Sequence, residues 1–382
     1  MNRPQESNAS YQAQLHEAAT ERTGLADFGD PHYLEGLRVL IDEVRRSPRR
    51  ERLEARFRQI AVDTLASRLA SQAGWKARPE VLGRPVDAPL IITGLPRSGT
   101  TILHFLMSVD PQFQWIPRWI GEAPLVAPPK HEWSNHPQYR VVHERLEALF
   151  AANPELRAAH NMGADLADEC ITVMTQSFIS NVFNSMLPLP GYRRWWYDVD
   201  EEPSYRRYKD NLRLIGADTP DKTWLLKNPS HTYGMDPMLR VFPDARVVVL
   251  HRHPVETIAS GASLIWRGSG VFEKEEAGRI RLDIWARATE RMARARTVHP
   301  DVDILDVSYR ELIADKMATV RRIYDHFGLT LSSATETAMR EFIAQNPQGK
   351  HGKHEYSSTE FGITDDQVRE RFADYIRRYN LE

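Results

Sequence analysis

The sequence predicts an α/β fold: a parallel sheet with helices on both faces, a helical extension at the amino terminus and a long helical insert. Three observations predict it. Short apolar runs, "PLIITG" ending at Gly94, "TWLLK" (223–227), "RVVVLH" (246–251) and "VDILDV" (302–307), each give way to a segment with helical periodicity. Such alternation builds parallel sheets whose strands are buried on both faces. Residues 1–80 carry no strand pattern, and residues 110–222 interrupt the alternation between the first apolar run and the second.

The extension, residues 1–80, is rich in Glu, Arg, Ala and Leu, with Pro31 and Pro48 as its main breakers. Its basic run "RRSPRRERLEARFR" is interrupted by Glu51 and Glu54 at helical spacing, which makes it a solvated helix face rather than a nucleic-acid surface. Across the chain 50 Lys and Arg meet 52 Asp and Glu, a net charge of -2, so nothing draws it globally to nucleic acid or anionic lipid. Any anion site must be local, and no nucleic-acid partner is expected. The first residues are polar, and no run approaches the roughly 18 apolar residues that span a bilayer. A cytoplasmic protein without a transmembrane segment is expected. The single cysteine, Cys170, excludes an internal disulfide and fits a reducing compartment as a small buried residue.

The main domain, residues 81–382, opens on "VDAPLIITG" and then "GLPRSGTT" (94–101), whose Gly94 and Gly99 have the spacing of a phosphate-binding loop. The helix after such a loop points unpaired N–H groups and its positive dipole end at an anion. A P-loop-type sheet follows, with a difference: Thr100 stands where nucleoside triphosphatases carry their lysine. The cation is Arg97, and Ser98, Thr100 and Thr101 supply hydroxyls. The missing lysine, and the lack of an apolar strand ending in a magnesium-holding aspartate, argue against a kinase or ATPase. The insert, 110–222, holds Trp115, Trp119, Trp133, Trp195 and Trp196, which suit either helix packing or an apolar acceptor pocket. Further on, Leu312, Ile313, Met317, Val320, Ile323, Tyr324 and Phe327 form one helical stripe that Gly328 ends.

A second anchor comes from "VVVLHRHPVETIAS": Arg252 just past a buried strand and Ser260 on the helix that Pro254 opens. Both belong on the carboxyl edge of the sheet, where open α/β sheets bind ligands. With both anchors in hand, the chain resembles the sulfotransferases that use 3′-phosphoadenosine 5′-phosphosulfate (PAPS), in the bacterial branch with "PRSGTT" and "LLKxPxH" motifs. Pro96 to Thr101 match the family's 5′-phosphosulfate loop, and Arg252, Pro254 and Ser260 match its 3′-phosphate element. The resemblance covers residues 86–355 and implies PAPS as co-substrate without a metal. It also implies a nucleotide-closing loop at 347–362, where "PQGKHGKHEYSS" would contribute Lys350, Gly352 and Lys353.

The resemblance further implies in-line sulfuryl transfer, with Arg97, the loop N–H groups and Lys227 as charge stabilisers. Lys227 lies at the separation from Arg252 that the catalytic lysine has in the better-known cytosolic branch. That branch's K-x-H is broken here, because Pro229 takes the histidine's place. His231 and Glu122 are then the candidates to line the acceptor pocket and take the acceptor's proton, with Asp168 and Glu169 a third option on the acceptor side or in a structural role. The aromatic insert favours an apolar or aromatic small-molecule acceptor; a homo-oligomer and a non-catalytic nucleotide-binding relative stay open.

Overall fold

A computed structural model describes residues 7–152, 162–346 and 357–382. Helices α1 (Asn8–Thr23), α2 (Tyr33–Arg46) and α3 (Arg50–Ala77) precede β1 (Leu90–Gly94) and α4 (Thr100–Met107). The insert carries β2 (Phe113–Gln114), α5 (Arg118–Glu122), α6 (Pro137–Ala152), α7 (Asn181–Met186) and α8 (Glu202–Ile215) among other helices. Then come β3 (Thr223–Lys227), β4 (Arg246–His251), α9 (Pro254–Ser269), α10 (Lys274–Val298), β5 (Ile304–Ser308) and α11 (Lys316–His326).

The five strands are parallel in the order β2-β3-β1-β4-β5. The apolar runs read as β3 and β4 have the bounds the sequence indicates, whereas β2 is a two-residue edge strand, too short to leave a periodic signal. Side chains alternate strictly across the sheet. Leu90, Ile92, Leu225, Val248 and Leu250 face α4, α11 and the helix Ser333–Gln345, while Ile91, Leu226, Val247 and Val249 face the larger helical layer. That layer is one apolar core shared by α1–α3, the insert and α9–α10. The N-terminal helices therefore roof the sheet. Gly36 of α2 makes this possible, since a Cβ there would stand 2.5 Å from the Phe178 carbonyl oxygen.

Two buried arginines join the N-terminal helices to the insert. Arg68 donates to the carbonyls of Phe28, Asp30 and Gln176, and Arg207 to Gln176 Oε1 and the Arg68 carbonyl. The insert's tryptophans pack helices together: Trp119 and Trp196 are fully buried, Trp133 meets both Trp115 and Trp119 edge-on at 5.9 Å, and Trp196 stacks on Tyr233 at 4.0 Å. Cys170 is buried as expected of a small apolar residue.

Because β1 lies between β3 and β4, the carboxyl ends of these strands stand side by side. Ile92 pairs with Lys227 and Gly94 with Leu250. All motifs read from the sequence at these strand ends converge on one edge.

Candidate active site at the carboxyl edge of the sheet

Backbone geometry builds the loop. Gly94 has φ +141°, and a Cβ there would lie 2.3 Å from the Leu250 carbonyl oxygen of the neighbouring strand. Gly99, at φ +95°, would press a Cβ to 3.0 Å from Leu312 and Tyr309. Only glycine fits either place. Arg97 is itself left-handed, at φ +68°, a conformation that costs a non-glycine residue on the order of 1 kcal/mol. Its side chain is exposed, while its carbonyl accepts from Arg252 just past β4. Ser98 is buried with its hydroxyl unpartnered among the described residues, and α4 begins at Thr100, so the first N–H groups of that helix open onto the loop.

Arg252 ties the second anchor to the first. Its Nη1 donates to the Arg97 carbonyl at 2.8 Å, Nε and Nη2 hold Glu256 at 2.8 and 2.7 Å, and the guanidinium lies 4.1 Å over the Tyr309 ring. A cavity of about 450 Å³, lined by Arg252, His253, Glu256, Ser308, Tyr309 and Arg310 among others, adjoins it. That volume lies within the range of small-molecule sites. Ser260 stands half-buried on α9. Lys350, Gly352 and Lys353 lie outside the described residues.

Lys227, at the end of β3, is only 3% exposed. A buried ammonium needs a partner, and Nζ has two: Glu169 Oε1 at 2.7 Å and Thr101 Oγ1 at 3.3 Å. The pairing is tertiary. The segment before α7 is stitched to the start of α5 by an antiparallel bridge between Pro117 and Ala167 and by Asp168 N donating to Ile116 O at 2.8 Å. It then docks on β3 through Cys170 N and the Lys227 carbonyl at 3.0 Å. Behind Lys227, burial and that ammonium push the His104 ring down to about 3, so it packs there uncharged.

A strand–loop–helix anion cradle, a strand-end arginine on the same edge and a buried lysine aimed at the cradle's helix coincide with a whole-chain similarity. Residues 89–333, well over half the chain, match the Sulfotransferase family. The chain is a member of that family. Its structure superposes on sulfotransferase STF1 from Mycobacterium tuberculosis with a TM-score of 0.85 at 35% identity, covering 95% of this chain and 98% of that one. Sulfotransferase STF9 from Mycobacterium avium gives 0.86 at 29% identity, covering 97% of each. The omega-hydroxy-beta-dihydromenaquinone-9 sulfotransferase Stf3 of Mycobacterium bovis and of Mycobacterium tuberculosis is 23% identical over 332 residues, 78% of this chain and 76% of the relative.

In this sulfotransferase the two residues read from sequence as candidate bases sit in different surroundings. His231 is fully buried on the turn Pro229–Thr232, its Nδ1 2.9 Å from the Tyr205 hydroxyl. Burial pushes the ring down to about 3, which keeps it neutral, and its Nε2 has no partner among the described residues. Glu122 ends α5 with both oxygens on Arg145 and with Arg118 Nε 3.9 Å away; Arg118 in turn reaches Asp168 at 3.3 Å. The carboxylate that touches Lys227 is Glu169, one-third exposed. Its signal in the sequence was an acidic pair, Asp168 and Glu169, inside "DECITVM"; what the sequence could not give was the lysine it meets. Tyr309, which supports Arg252, left no signal at all. Among the described residues no cluster of His, Cys, Asp and Glu could hold a metal, and no helix is long and apolar enough to cross a membrane.

Proposed function

We propose that this sulfotransferase takes the sulfuryl group of PAPS and passes it to the hydroxyl of an apolar small-molecule acceptor. The observation that carries the reading is Lys227, buried on the carboxyl edge and bonded at once to Thr101 of the loop helix and to Glu169 of the insert. Sulfotransferases of this family in general draw on PAPS. The residues here suit it: an orphaned buried hydroxyl at Ser98, two glycines that let the backbone approach an anion, and Arg252 braced on the loop.

When bound, PAPS supplies an activated sulfuryl group on a phosphate leaving group. The N–H groups of Thr100 and Thr101, the Ser98 hydroxyl and the exposed Arg97 guanidinium would hold the 5′ side; Arg252 and Ser260 would hold the 3′-phosphate, with Lys350, Gly352 and Lys353 closing over it. The acceptor oxygen forms its bond to sulfur as the sulfur–oxygen bond to phosphate breaks, and the acceptor's proton must leave. Lys227 would neutralise charge growing on the transferred group and the departing phosphate. Geometry favours Glu169 as the proton's destination over Glu122, whose oxygens are both on Arg145, and over the enclosed His231. A lysine donating to this carboxylate would also let it pass charge directly as the acceptor ionises.

For the acceptor, the name of the relative Stf3 points to a terminal hydroxyl on an apolar molecule, and the aromatic insert is compatible with one. We infer a cytoplasmic site of action from the single buried cysteine. Thermal stabilisation tests the donor. Adenosine 3′,5′-bisphosphate is expected to raise the melting temperature, and ATP with magnesium to do so far less. A preference for ATP would sink the reading.

A further inference from the structure

Glu256 stands in the first turn of α9, four residues after Arg252, where the positive end of the helix dipole favours an anion. Its Oε2 takes both Arg252 Nε, at 2.8 Å, and Nη2, at 2.7 Å. Nη1 donates to the Arg97 carbonyl at 2.8 Å, so every nitrogen of the guanidinium already has an acceptor. The Tyr309 ring covers one face of the group at 4.1 Å. An anion is therefore bound in the guanidinium plane, and Glu256 holds one side of that plane. Among the described residues that line the adjoining cavity, Glu256 is the one carboxylate, alongside Arg252, His253 and Arg310.

A carboxylate in this place works against a phosphate in two ways. It takes two donors that a tetrahedral oxyanion would use, and its charge repels a dianion brought to the same guanidinium. It also satisfies Arg252, whose side chain is only 24% exposed and would be costly to leave without a partner. The other half of the pair is open. The Glu256 side chain is 46% exposed, and ion pairs this accessible contribute little, so the carboxylate can turn to water when a stronger anion arrives. We propose that Glu256 is an exchangeable counter-ion that alternates with the donor's 3′-phosphate on Arg252, yielding to it on binding and returning as the bisphosphate product leaves. The proposal rests on the reading of Arg252 as the 3′-phosphate anchor. Glu256 thereby holds down affinity for the bisphosphate and quickens its release, a step that every turnover requires.

The test is calorimetric binding of adenosine 3′,5′-bisphosphate and of adenosine 5′-phosphate to the full chain. E256Q keeps a side-chain oxygen for Arg252 and removes the charge. It is expected to bind the bisphosphate about 5-fold tighter, the scale of one exposed charge pair, and to release it more slowly in stopped flow. Affinity for adenosine 5′-phosphate, which lacks the 3′ anion, should stay as it was. Unchanged or weaker bisphosphate binding by E256Q overturns the proposal, and so does equal tightening of both nucleotides, which would place the effect away from the 3′ position. A crystal structure of the unaltered chain with the bisphosphate checks the exchange without any variant. Glu256 is expected turned away from Arg252 with a phosphate oxygen in its place, and an intact Arg252–Glu256 pair overturns the proposal. If the unaltered chain showed no preference for the bisphosphate over adenosine 5′-phosphate, the anchor reading itself would fall, and the proposal with it.

Discussion

The proposed nucleotide side and the proposed acceptor side of this site are built by different means. The nucleotide side is contiguous: β1, the five loop residues 95–99 and the first turn of α4 fix the cradle, and a single arginine from the end of the next strand braces it. The acceptor side is assembled from side chains far apart in the chain. Lys227 meets Glu169 across 58 residues and Thr101 across 126. Backbone cradles leave motifs in a sequence; side-chain pairs leave only isolated charges.

If that contrast is right, substitutions on the two sides should separate binding from chemistry. Glu169→Gln should lower kcat by roughly 10²–10⁴-fold, the usual contribution of a general base, with bisphosphate affinity unchanged. An equal loss in Glu122→Gln and none in Glu169→Gln would move the base to the Arg145 network. Lys227→Ala should cost roughly 10²–10³-fold in kcat, as loss of one stabilising donor does. Arg252→Ala should do the reverse: bisphosphate affinity, by calorimetry, falls about 10-fold or more as a charged hydrogen-bond donor is lost, while kcat at saturating donor changes little.

Gly94→Ala probes the backbone itself. With φ +141° and the Leu250 carbonyl 2.3 Å from the new Cβ, the strand end must shift. More than about 1 kcal/mol of stability should go, together with bisphosphate binding. Denaturant unfolding with and without the bisphosphate would measure both; unaltered stability would mean the loop is looser than the structure indicates.

The smallest effect concerns the side-chain scaffold of the insert. Glu201 is fully buried, accepts from Trp196 Nε1 at 2.9 Å, and burial pushes its carboxyl up to about 7. Its folded pKa is raised, so between about 4.5 and 7 the native state holds more proton than the unfolded chain, and stability falls as pH rises through that window. The slope from this one group is at most about 1.4 kcal/mol per pH unit. Glu201→Gln should flatten it, visible as a melting temperature that no longer drops between pH 5 and pH 7. A nucleotide-side change such as Arg252→Ala should leave that slope intact.

Legibility followed the same divide. Gly94, Arg97, Gly99 and Arg252 could be read because strand ends and glycine spacing locate them before any folding is known, and the structure puts all four on one edge. The acceptor side could be read only in part. Lys227 was visible at the end of an apolar run, but its contact with Glu169 was not, because that pair meets across 58 residues. His231 turned inward to Tyr205 because the turn at Pro229–Thr232 packs beneath the insert, and nothing local in "KNPSH" specifies that. The tryptophans were ambiguous for a related reason, since an aromatic side chain has the same composition whether it fills a core or lines a pocket.

By itself the sequence determined the alternation of strands and helices, hence the parallel sheet, and the loop whose arginine replaces a lysine. Periodicity and glycine geometry are properties of neighbouring residues, so they survive in one dimension. Which carboxylate would meet Lys227 and how Tyr309 would support Arg252 were decided only by tertiary packing. A buried charge takes whatever partner the packing delivers to it, and that delivery spans the whole chain.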